Sequence, residues 1–245
     1  MLLMKIRWKY ILLSSLLWIG LIAASKAQPG KFLPSTVRVG TDLVAIGYSF
    51  ADRDQIRFEF NADTDVHKYF VALDYGFAGT RRSDNSNTFV YQNNGHYLRV
   101  GADINLLPQD EFGNVIFVGL RYGRSIFSDD LTFSQAKNPY YAPINSTDVP
   151  GGLRNTHLQM GWGEVVMGVK IQLVKQLYIG FTGRFKFGST IGGVNHLIPF
   201  EVPGYGTYAK KNVFGLNYVV YYRFRLRDKP LIPKLKEKEE APEAE

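Results

Sequence analysis

Charged side chains alternate with apolar ones along several stretches of this sequence. Near residue 100, Arg99 and Asp103 alternate with Leu98, Val100 and Ala102. A period of two places such charges together on one face of a β-strand. If the strands close into a narrow barrel, that face is the interior, where an unpaired charge is costly and ion pairing is expected. We predict an interior charge network of Arg57, Glu59, Asp74, Arg99, Asp103, Arg121, Glu164, Lys170, Arg184, Lys186 and Arg223.

The composition of this set predicts what the interior does. It holds seven basic and four acidic residues. An eight-stranded barrel is just wide enough to be filled by its own side chains. We therefore predict a salt-bridged, plugged interior and no pore. The basic excess leaves room for an anion or water at one end, so a narrow channel or transporter for small anions is the first alternative.

Histidine and serine define a second alternative, a lipid-modifying enzyme of the outer membrane. Among the four histidines, His157 and His196 are expected near the outer rim, and Ser189 is expected at the top of a neighbouring strand. No nucleophile motif surrounds any serine. No two histidines stand at metal-ligand spacing. We predict that the chain is not an enzyme and has no catalytic, cofactor-binding or metal-binding residues.

The N-terminal segment predicts export. A basic head at 5–9 precedes an apolar run at 10–24, and the small residues Ser25 and Ala27 follow. This is the three-part plan of a secretory signal peptide. The run is shorter than the roughly 20 residues that a membrane-spanning helix needs. We predict that residues 1–27 are a cleaved signal peptide.

Charge and cysteine content narrow the function classes. Four of the 29 Lys and Arg residues lie in the predicted signal peptide, so the mature chain has 25 basic and 22 acidic residues. Such a small imbalance gives no argument for a nucleic-acid partner. The chain has no cysteine, which excludes disulfides, a thiolate metal site and the lipid-modified cysteine of a lipoprotein.

Period-two alternation recurs through the mature chain and predicts an all-β fold. The connections alternate between short turns at 63–65, 107–112 and 175–176 and outer loops at 50–54, 80–86, 129–157 and 192–211. Short turns on one side and longer loops on the other are typical of outer-membrane barrels, which also have an even number of strands. We predict eight strands at 37–49, 55–62, 66–79, 87–106, 113–128, 158–174, 177–191 and 212–226.

The two faces of these strands favour a membrane barrel over a soluble sandwich. In the strand at 113–128, Ile116, Val118 and Leu120 share one face, and Gly119 and Arg121 share the other. Apolar outer faces that end in aromatic residues suit lipid and its interfaces. Glycines among the charges suit a crowded interior. The sequence therefore predicts an eight-stranded antiparallel up-and-down transmembrane β-barrel.

The remaining segments complete the predicted organisation. Residues 28–36 form an N-terminal periplasmic segment, 37–226 the barrel, and 227–245 a disordered, charged periplasmic tail, because the tail is proline-broken and poor in apolar residues. The longest outer loop carries aromatic residues and prolines, which suit contact with a protein or glycan. The predicted contact residues of this loop are Phe133, Tyr140 and Tyr141.

Short motifs along the strands resemble a known group. They are the segments at 39–43, 69–76 (Tyr-Phe-Val-Ala-Leu-Asp-Tyr-Gly), 99–105 (Arg-Val-Gly-Ala-Asp-Ile-Asn) and 119–123 (Gly-Leu-Arg-Tyr-Gly). They resemble small outer-membrane barrels of unknown function from Bacteroidota, a domain-of-unknown-function family. The resemblance spans most of the mature chain and implies the fold and the location. It supplies no activity, and it implies association with larger assembly or secretion machines.

These inferences lead to one expected role. The chain is expected to be a non-enzymatic structural or interaction component of the cell outer membrane, for example an accessory subunit of an assembly or secretion complex. Its expected partners are outer-membrane lipid and other outer-membrane proteins or lipoproteins.

Overall fold

The computed structural model describes residues 33–66, 69–84, 89–108, 110, 113–133, 152–195 and 197–227. The predicted signal peptide, Tyr140, Tyr141 and the tail beyond residue 227 lie outside these ranges. The described elements are β1 (Thr36–Asp42), α1 (Leu43–Ala51), β2 (Gln55–Val66), β3 (Tyr69–Ser83), β4 (Phe89–Asn105), β5 (Val115–Phe133), β6 (Gly152–Val174), β7 (Leu177–Gly188), β8 (Glu201–Val202), β9 (Gly206–Thr207) and β10 (Asn212–Arg225).

Eight of these strands close into an antiparallel barrel in the order β1–β10–β7–β6–β5–β4–β3–β2. Each pairs with the barrel strand before and after it in the chain, and β1 closes the ring by pairing with β10 from Thr36 opposite Arg225 to Asp42 opposite Val219. The predicted all-β, eight-stranded, antiparallel up-and-down barrel is confirmed. We call the end that carries the start of β1 and the turn at 175–176 the lower end, and the opposite end the upper end.

The barrel has an apolar outside and a polar inside. On β5, Leu120 is 67% exposed while its neighbour Arg121 is buried, and on β10 Phe214 is 66% exposed while Asn217 is buried. The alternation follows from the pleat, which turns successive side chains to opposite faces. The faces predicted for these strands match the described ones.

The predicted strand at 37–49 is wrong in its second half, because residues 43–51 form α1. The Asp42 carboxylate accepts a hydrogen bond from the backbone N–H of Val44 at 2.9 Å and so caps the helix. The run from Leu43 to Ile46 is also continuously apolar, without the polar alternation of the other strands.

No helix within the described ranges is long and apolar enough to span a membrane.

Other strand ends differ from the prediction. The strand β2 runs on to Val66, so the predicted turn at 63–65 is part of a strand and Asp63 and Asp65 point into the barrel. The strand β5 extends to Phe133, whose backbone pairs with Phe89, so Phe133 ends a strand and is not a loop residue. Long strands satisfy more backbone groups through ladder hydrogen bonds than loops would.

Inward-facing glycines make room for aromatic rings. A Cβ built on Gly123 would lie 2.3 Å from the ring of Trp162, which is held by a 2.7 Å hydrogen bond from its Nε1 to Glu164. Gly183 lies on the outward face of β7, and a Cβ built there would meet nothing closer than 3.7 Å.

We expect Gly123→Ala to lower the free energy of unfolding by about 1–3 kcal/mol, because the anchored ring cannot move away from the added methyl. Guanidinium titration of the folded protein in lipid vesicles, followed by tryptophan fluorescence, measures this. Trp162 is the one tryptophan beyond residue 27, so the signal reports its site. Gly183→Ala is the matched control, and equal losses in both variants would contradict the crowding argument.

Candidate functional site

Seven ionised side chains form one buried cluster in the middle of the barrel. Arg99 pairs with Glu59, with Asp74 at 3.3 Å and with Glu164 at 3.7 Å. Arg184 contacts Asp74 at 3.2 Å and Glu164 at 3.0 Å. Six consecutive strands, β2 to β7, therefore contribute side chains to one network of ion pairs. We call it the central cluster: Glu59, Asp74, Arg99, Asp103, Arg121, Glu164 and Arg184.

Neutral donors add to the coordination of two of these carboxylates, those of Glu59 and Asp74. The hydroxyl of Tyr97 donates to Glu59 at 2.7 Å. The amide of Asn61 donates to Asp74 at 2.8 Å and to Glu59 at 3.0 Å. Such satisfaction is what a buried charge needs to be tolerated in a low-dielectric interior.

A second charged group lies nearer the lower end. Asp63 accepts from Arg38, whose Nη2 lies 2.6 Å from its carboxylate, and from Lys170 at 2.7 Å. The cations also lie against aromatic rings, with Arg38 4.5 Å from the centroid of Phe70 and Lys170 4.8 Å from that of Phe117. We call Arg38, Asp63 and Lys170 the lower cluster.

Eight of the eleven predicted interior charges lie in these two clusters, and three do not. Arg57 pairs with Glu201 at 2.8 Å, at the upper end. Lys186 is buried but donates to the backbone carbonyls of Gly204 at 2.8 Å and Tyr205 at 3.3 Å. Arg223 is at the lower end and donates to the carbonyl of Lys175 at 2.9 Å.

The interior has no excess of basic charge, contrary to the expectation from the eleven residues. Asp42, Asp63 and Asp65 are buried acids that the sequence interpretation assigned to other features. Asp65 binds the backbone N–H and the hydroxyl of Thr36. Among the described residues, buried carboxylates outnumber buried Lys and Arg. The charge argument for an anion path is therefore lost.

Residues 189–195 and 197–211 fold into the upper mouth and form what we call the outer cap. It contains the small hairpin of β8 and β9. Its side chains Ile191, Val202 and Tyr205 are buried in one cluster with inward residues of the barrel wall, including Trp162. Burial raises the pKa of the Tyr205 hydroxyl, which donates to the carbonyl of Lys211 at 2.7 Å.

Barrel side chains fasten the outer cap by its backbone. The amide of Asn93 donates to the carbonyl of Glu201 at 2.9 Å, and that of Asn155 donates to the carbonyl of Leu197 at 2.8 Å. The backbone N–H of Phe200 donates to the hydroxyl of Tyr91 at 3.2 Å. These contacts join residues far apart in the chain, so the cap is built into the barrel.

The residues of the enzyme alternative are not assembled within the described ranges. The side chain of His157 is exposed, and the hydroxyl of Ser189 donates to the carbonyl of Gly161 at 2.8 Å. His196 lies outside the described residues. No group of three or more His, Asp or Glu residues in those ranges is placed to hold a metal ion.

The barrel wall is incomplete on one side of its upper half. The strand β1 pairs with β2 only as far as Thr41 opposite Phe60, and with β10 only as far as Asp42. Above that point no described strand lies between residues 55–59 of β2 and residues 212–218 of β10. The helix α1 lies against both strands there. We call this region the lateral opening.

Side chains of α1 and its cap satisfy part of the two strand edges. The hydroxyl of Ser49 donates to the carbonyl of Arg57 at 3.0 Å and accepts from its backbone N–H at 2.7 Å. Asp42 accepts from the backbone N–H of Tyr218 at 3.2 Å and from the amide of Asn217. These bonds stand in for the ladder that a longer β1 would have made.

A cavity of about 530 Å³ lies behind α1 at the lateral opening. Its inner lining includes Tyr97, Lys186 and Asn217, and its outer lining includes Phe214 and Leu216 on the outward-facing side of β10. The cavity therefore passes around the edge of β10, from the barrel interior to the outer surface. Its size falls in the range of small-molecule sites, roughly 300–1,000 Å³.

Sequence reasoning missed Arg38, Asp42, Asp63 and the polar residues Asn61 and Asn217 that bind the carboxylates. The signals were present in part. Asp42 before an uninterrupted apolar run is a helix-capping signal, and Arg38 and Asp63 each lie at the inward parity of their strand. The local alternation of residues does not predict which of these side chains pair across the lumen.

Comparisons with known proteins give a family and several distant structural likenesses. A family model described as "Domain of unknown function (DUF6048)" matches residues 12–229. No curated protein matches the chain significantly.

Solved structures with some similarity include the N-terminal β-barrel domain of Pseudomonas aeruginosa OprF, at 10% identity and a TM-score of 0.41 over 78% of this chain and 100% of that one. Neisserial surface protein A matches at 8% identity and 0.40, over 78% and 96%. Ail, the attachment invasion locus protein of Yersinia pestis, matches at 10% and 0.37, over 78% and 97%. Scores and identities this low establish no shared activity.

Proposed function

This chain belongs to the DUF6048 family, and we propose that it is an integral barrel of the outer membrane that conducts no ions, catalyses no reaction, and acts as a structural or interaction component. One observation carries this proposal: the barrel is apolar outside and filled with paired charge inside. The fold supplies a membrane-compatible surface and a lumen that is filled along its axis, and its outward faces and loops are left to make contacts.

The outer surface supports insertion in a bilayer. Large apolar side chains that would destabilise a soluble protein are exposed around the ring, among them Val71, Leu98, Leu120, Phe185 and Leu216. Lipid removes this penalty, and a closed barrel satisfies its backbone groups internally, as a bilayer requires. The predicted signal peptide supports export to the outer membrane.

The interior supports a role without conduction or transport through the lumen. The outer cap, the central cluster and the lower cluster lie at successive levels along the barrel. An ion crossing the lumen would have to separate several of these ion pairs, and a buried charge that loses its partner is energetically costly. If the lumen carries nothing, the protein acts through its outer surface and loops, which can contact lipid and other outer-membrane proteins or lipoproteins. Such contacts suit an accessory subunit of an assembly or secretion complex.

We expect the purified protein to show no steady single-channel conductance in a planar bilayer. Replacing most of the outer cap, from residue 190 to residue 210, by a short Gly-Ser linker should leave the bilayer silent as well, because the two charged clusters still fill the lumen. Heat-dependent gel mobility confirms that each sample is folded and inserted. Uniform open-channel steps from the intact protein would overturn the proposal in favour of the anion channel.

A further inference from the structure

We propose that the lateral opening binds an amphiphile: its phosphate or carboxylate head enters the cavity toward Lys186, and its acyl chain leaves between α1 and β10 along the lipid-facing surface. This inference rests on the membrane insertion proposed above. It adds a ligand class and a binding site to that function.

The opening breaks a general rule for membrane barrels. A strand edge exposed to hydrocarbon leaves backbone groups unsatisfied, at a cost that bilayers do not tolerate, and irregular backbone persists only where it lines a cavity or is covered by protein. Here β1 stops at Asp42, and a helix replaces it in the upper half of the wall. The departure creates a passage between lumen and lipid that a full-length β1 would have closed.

Lys186 supplies the charge that selects the head group. It is nine-tenths buried and lines the cavity. The other cations of the lining, Arg57 and Arg99, are paired with Glu201 and Glu59. Lys186 forms no ion pair with any described carboxylate and donates only to two backbone carbonyls.

The position of Lys186 places its ammonium at the passage. Gly215 on the neighbouring strand β10 has no side chain, and a Cβ built there would lie 3.3 Å from Nζ. A larger residue would stand between the ammonium and the edge of β10. The glycine thus keeps the lysine accessible from the side of the opening, where a buried cation gains most from an anionic partner.

The outer part of the lining suits an acyl chain. Phe181, Phe214 and Leu216 line the cavity and are also exposed on the outer face of β7 and β10. The facing surface of α1 contributes Val44 and Ala45, and the helix contains no charged residue. One end of the cavity is therefore polar and the other is apolar and continuous with the lipid-facing surface.

The same opening favours an amphiphile over an added β-strand from a partner. The hydroxyl of Ser49 already binds both backbone groups of Arg57 on the β2 edge, and Asp42 already binds the N–H of Tyr218 on the β10 edge. A new strand would have to displace α1 together with these contacts. A single chain needs only the passage beside β10.

The test uses the full mature protein folded in lipid vesicles, with flotation and heat-dependent gel mobility confirming insertion. Two probes are used: phosphatidylglycerol and palmitate, each with a photoactivatable diazirine on the acyl chain. Cross-linked peptides are mapped by mass spectrometry. We expect the labelled peptides to come from α1 and from residues 212–218, and labelling by phospholipid or by the fatty acid identifies which amphiphile the site takes.

Matched variants separate the site from the general lipid surface. Lys186→Met removes the cation and should lower labelling at the opening at least five-fold, while Lys211→Met removes an exposed lysine of the outer cap and should leave it unchanged. Ala78→Phe fills the cavity and should also abolish labelling there. The control is Ala102→Phe. Ala102 is on the outer face of β4, away from the cavity, so this substitution should leave the labelling unchanged. If Lys186→Met does not fold, Ala78→Phe decides the result.

Labelling spread evenly around the barrel would overturn the inference, as would labelling at the opening that neither Lys186→Met nor Ala78→Phe reduces. A protein cross-linked to the β2 and β10 edges in place of the probes would overturn it in favour of strand addition. Failure of the protein to float with vesicles would instead contradict the membrane insertion on which the inference rests.

Discussion

Arg99→Met should lower the free energy of unfolding by about 3–5 kcal/mol. The side chain is almost fully buried and contacts three carboxylates, those of Glu59, Asp74 and Glu164. Its removal leaves the four carboxylates of the central cluster with only Arg121 and Arg184 as buried partners. Guanidinium titration in lipid vesicles, read by the fluorescence of Trp162, measures the loss.

Two variants sharpen this prediction. Arg124→Met on β5 removes an exposed arginine that contacts Gln159, and it should change the unfolding free energy by no more than about 0.5 kcal/mol. Arg99→Lys retains the charge but not the planar fork, and we expect a loss between those of the other two. If Arg99→Met were as stable as Arg124→Met, the central cluster would not stabilise the fold.

Leu120→Arg tests the outside of the barrel. This leucine is 67% exposed on β5, within the apolar band formed by Ile116, Val118, Leu120 and Tyr122. In a bilayer an arginine near the midplane of a barrel wall costs about 2–4 kcal/mol, whereas on a water-exposed surface the same change costs almost nothing. We therefore expect a loss of about 2–4 kcal/mol, measured by reversible folding into vesicles.

Depth distinguishes this effect from a general sensitivity to arginine. Leu107→Arg introduces the same residue beyond the lower end of β4, at a position that is 39% exposed. There the expected cost is roughly 0–1 kcal/mol, as near a membrane interface. Equal, small effects of the two substitutions would mean that the apolar band faces water, and the proposed membrane insertion would then fail.

The interior and the exterior of the barrel thus suit different surroundings. Burying seven ionised groups in one cluster is tolerable because each carboxylate receives an arginine or a neutral donor such as Asn61 or Tyr97. In the proposed membrane setting, the exposure of Leu120 and Phe214 is tolerable because lipid replaces water. Placing an apolar side chain in the interior cluster, or a charged one on the outer apolar band, should therefore lower the free energy of unfolding.

Local alternation in the sequence predicts most of the strand residues, the two faces of each strand and the antiparallel barrel. Period-two alternation is a local property: it assigns Arg121 to one face and Leu120 to the other without reference to any distant residue. Eight such runs joined alternately by short turns and longer loops leave an antiparallel meander as the simple arrangement, and closure removes its edges. The same parity put Arg99, Asp103 and Arg184 inside the barrel before their partners were known.

Which charges pair, how the upper mouth closes and where the wall opens depend on contacts between residues that are far apart in the chain. The amide of Asn93 binds a carbonyl 108 residues away, and no local pattern specifies such a contact. Whether residues 43–51 extend β1 or form α1 depends on what the edges of β2 and β10 receive in exchange, here the Asp42 carboxylate and the Ser49 hydroxyl. Long-range contacts set that balance, and alternation alone cannot express it.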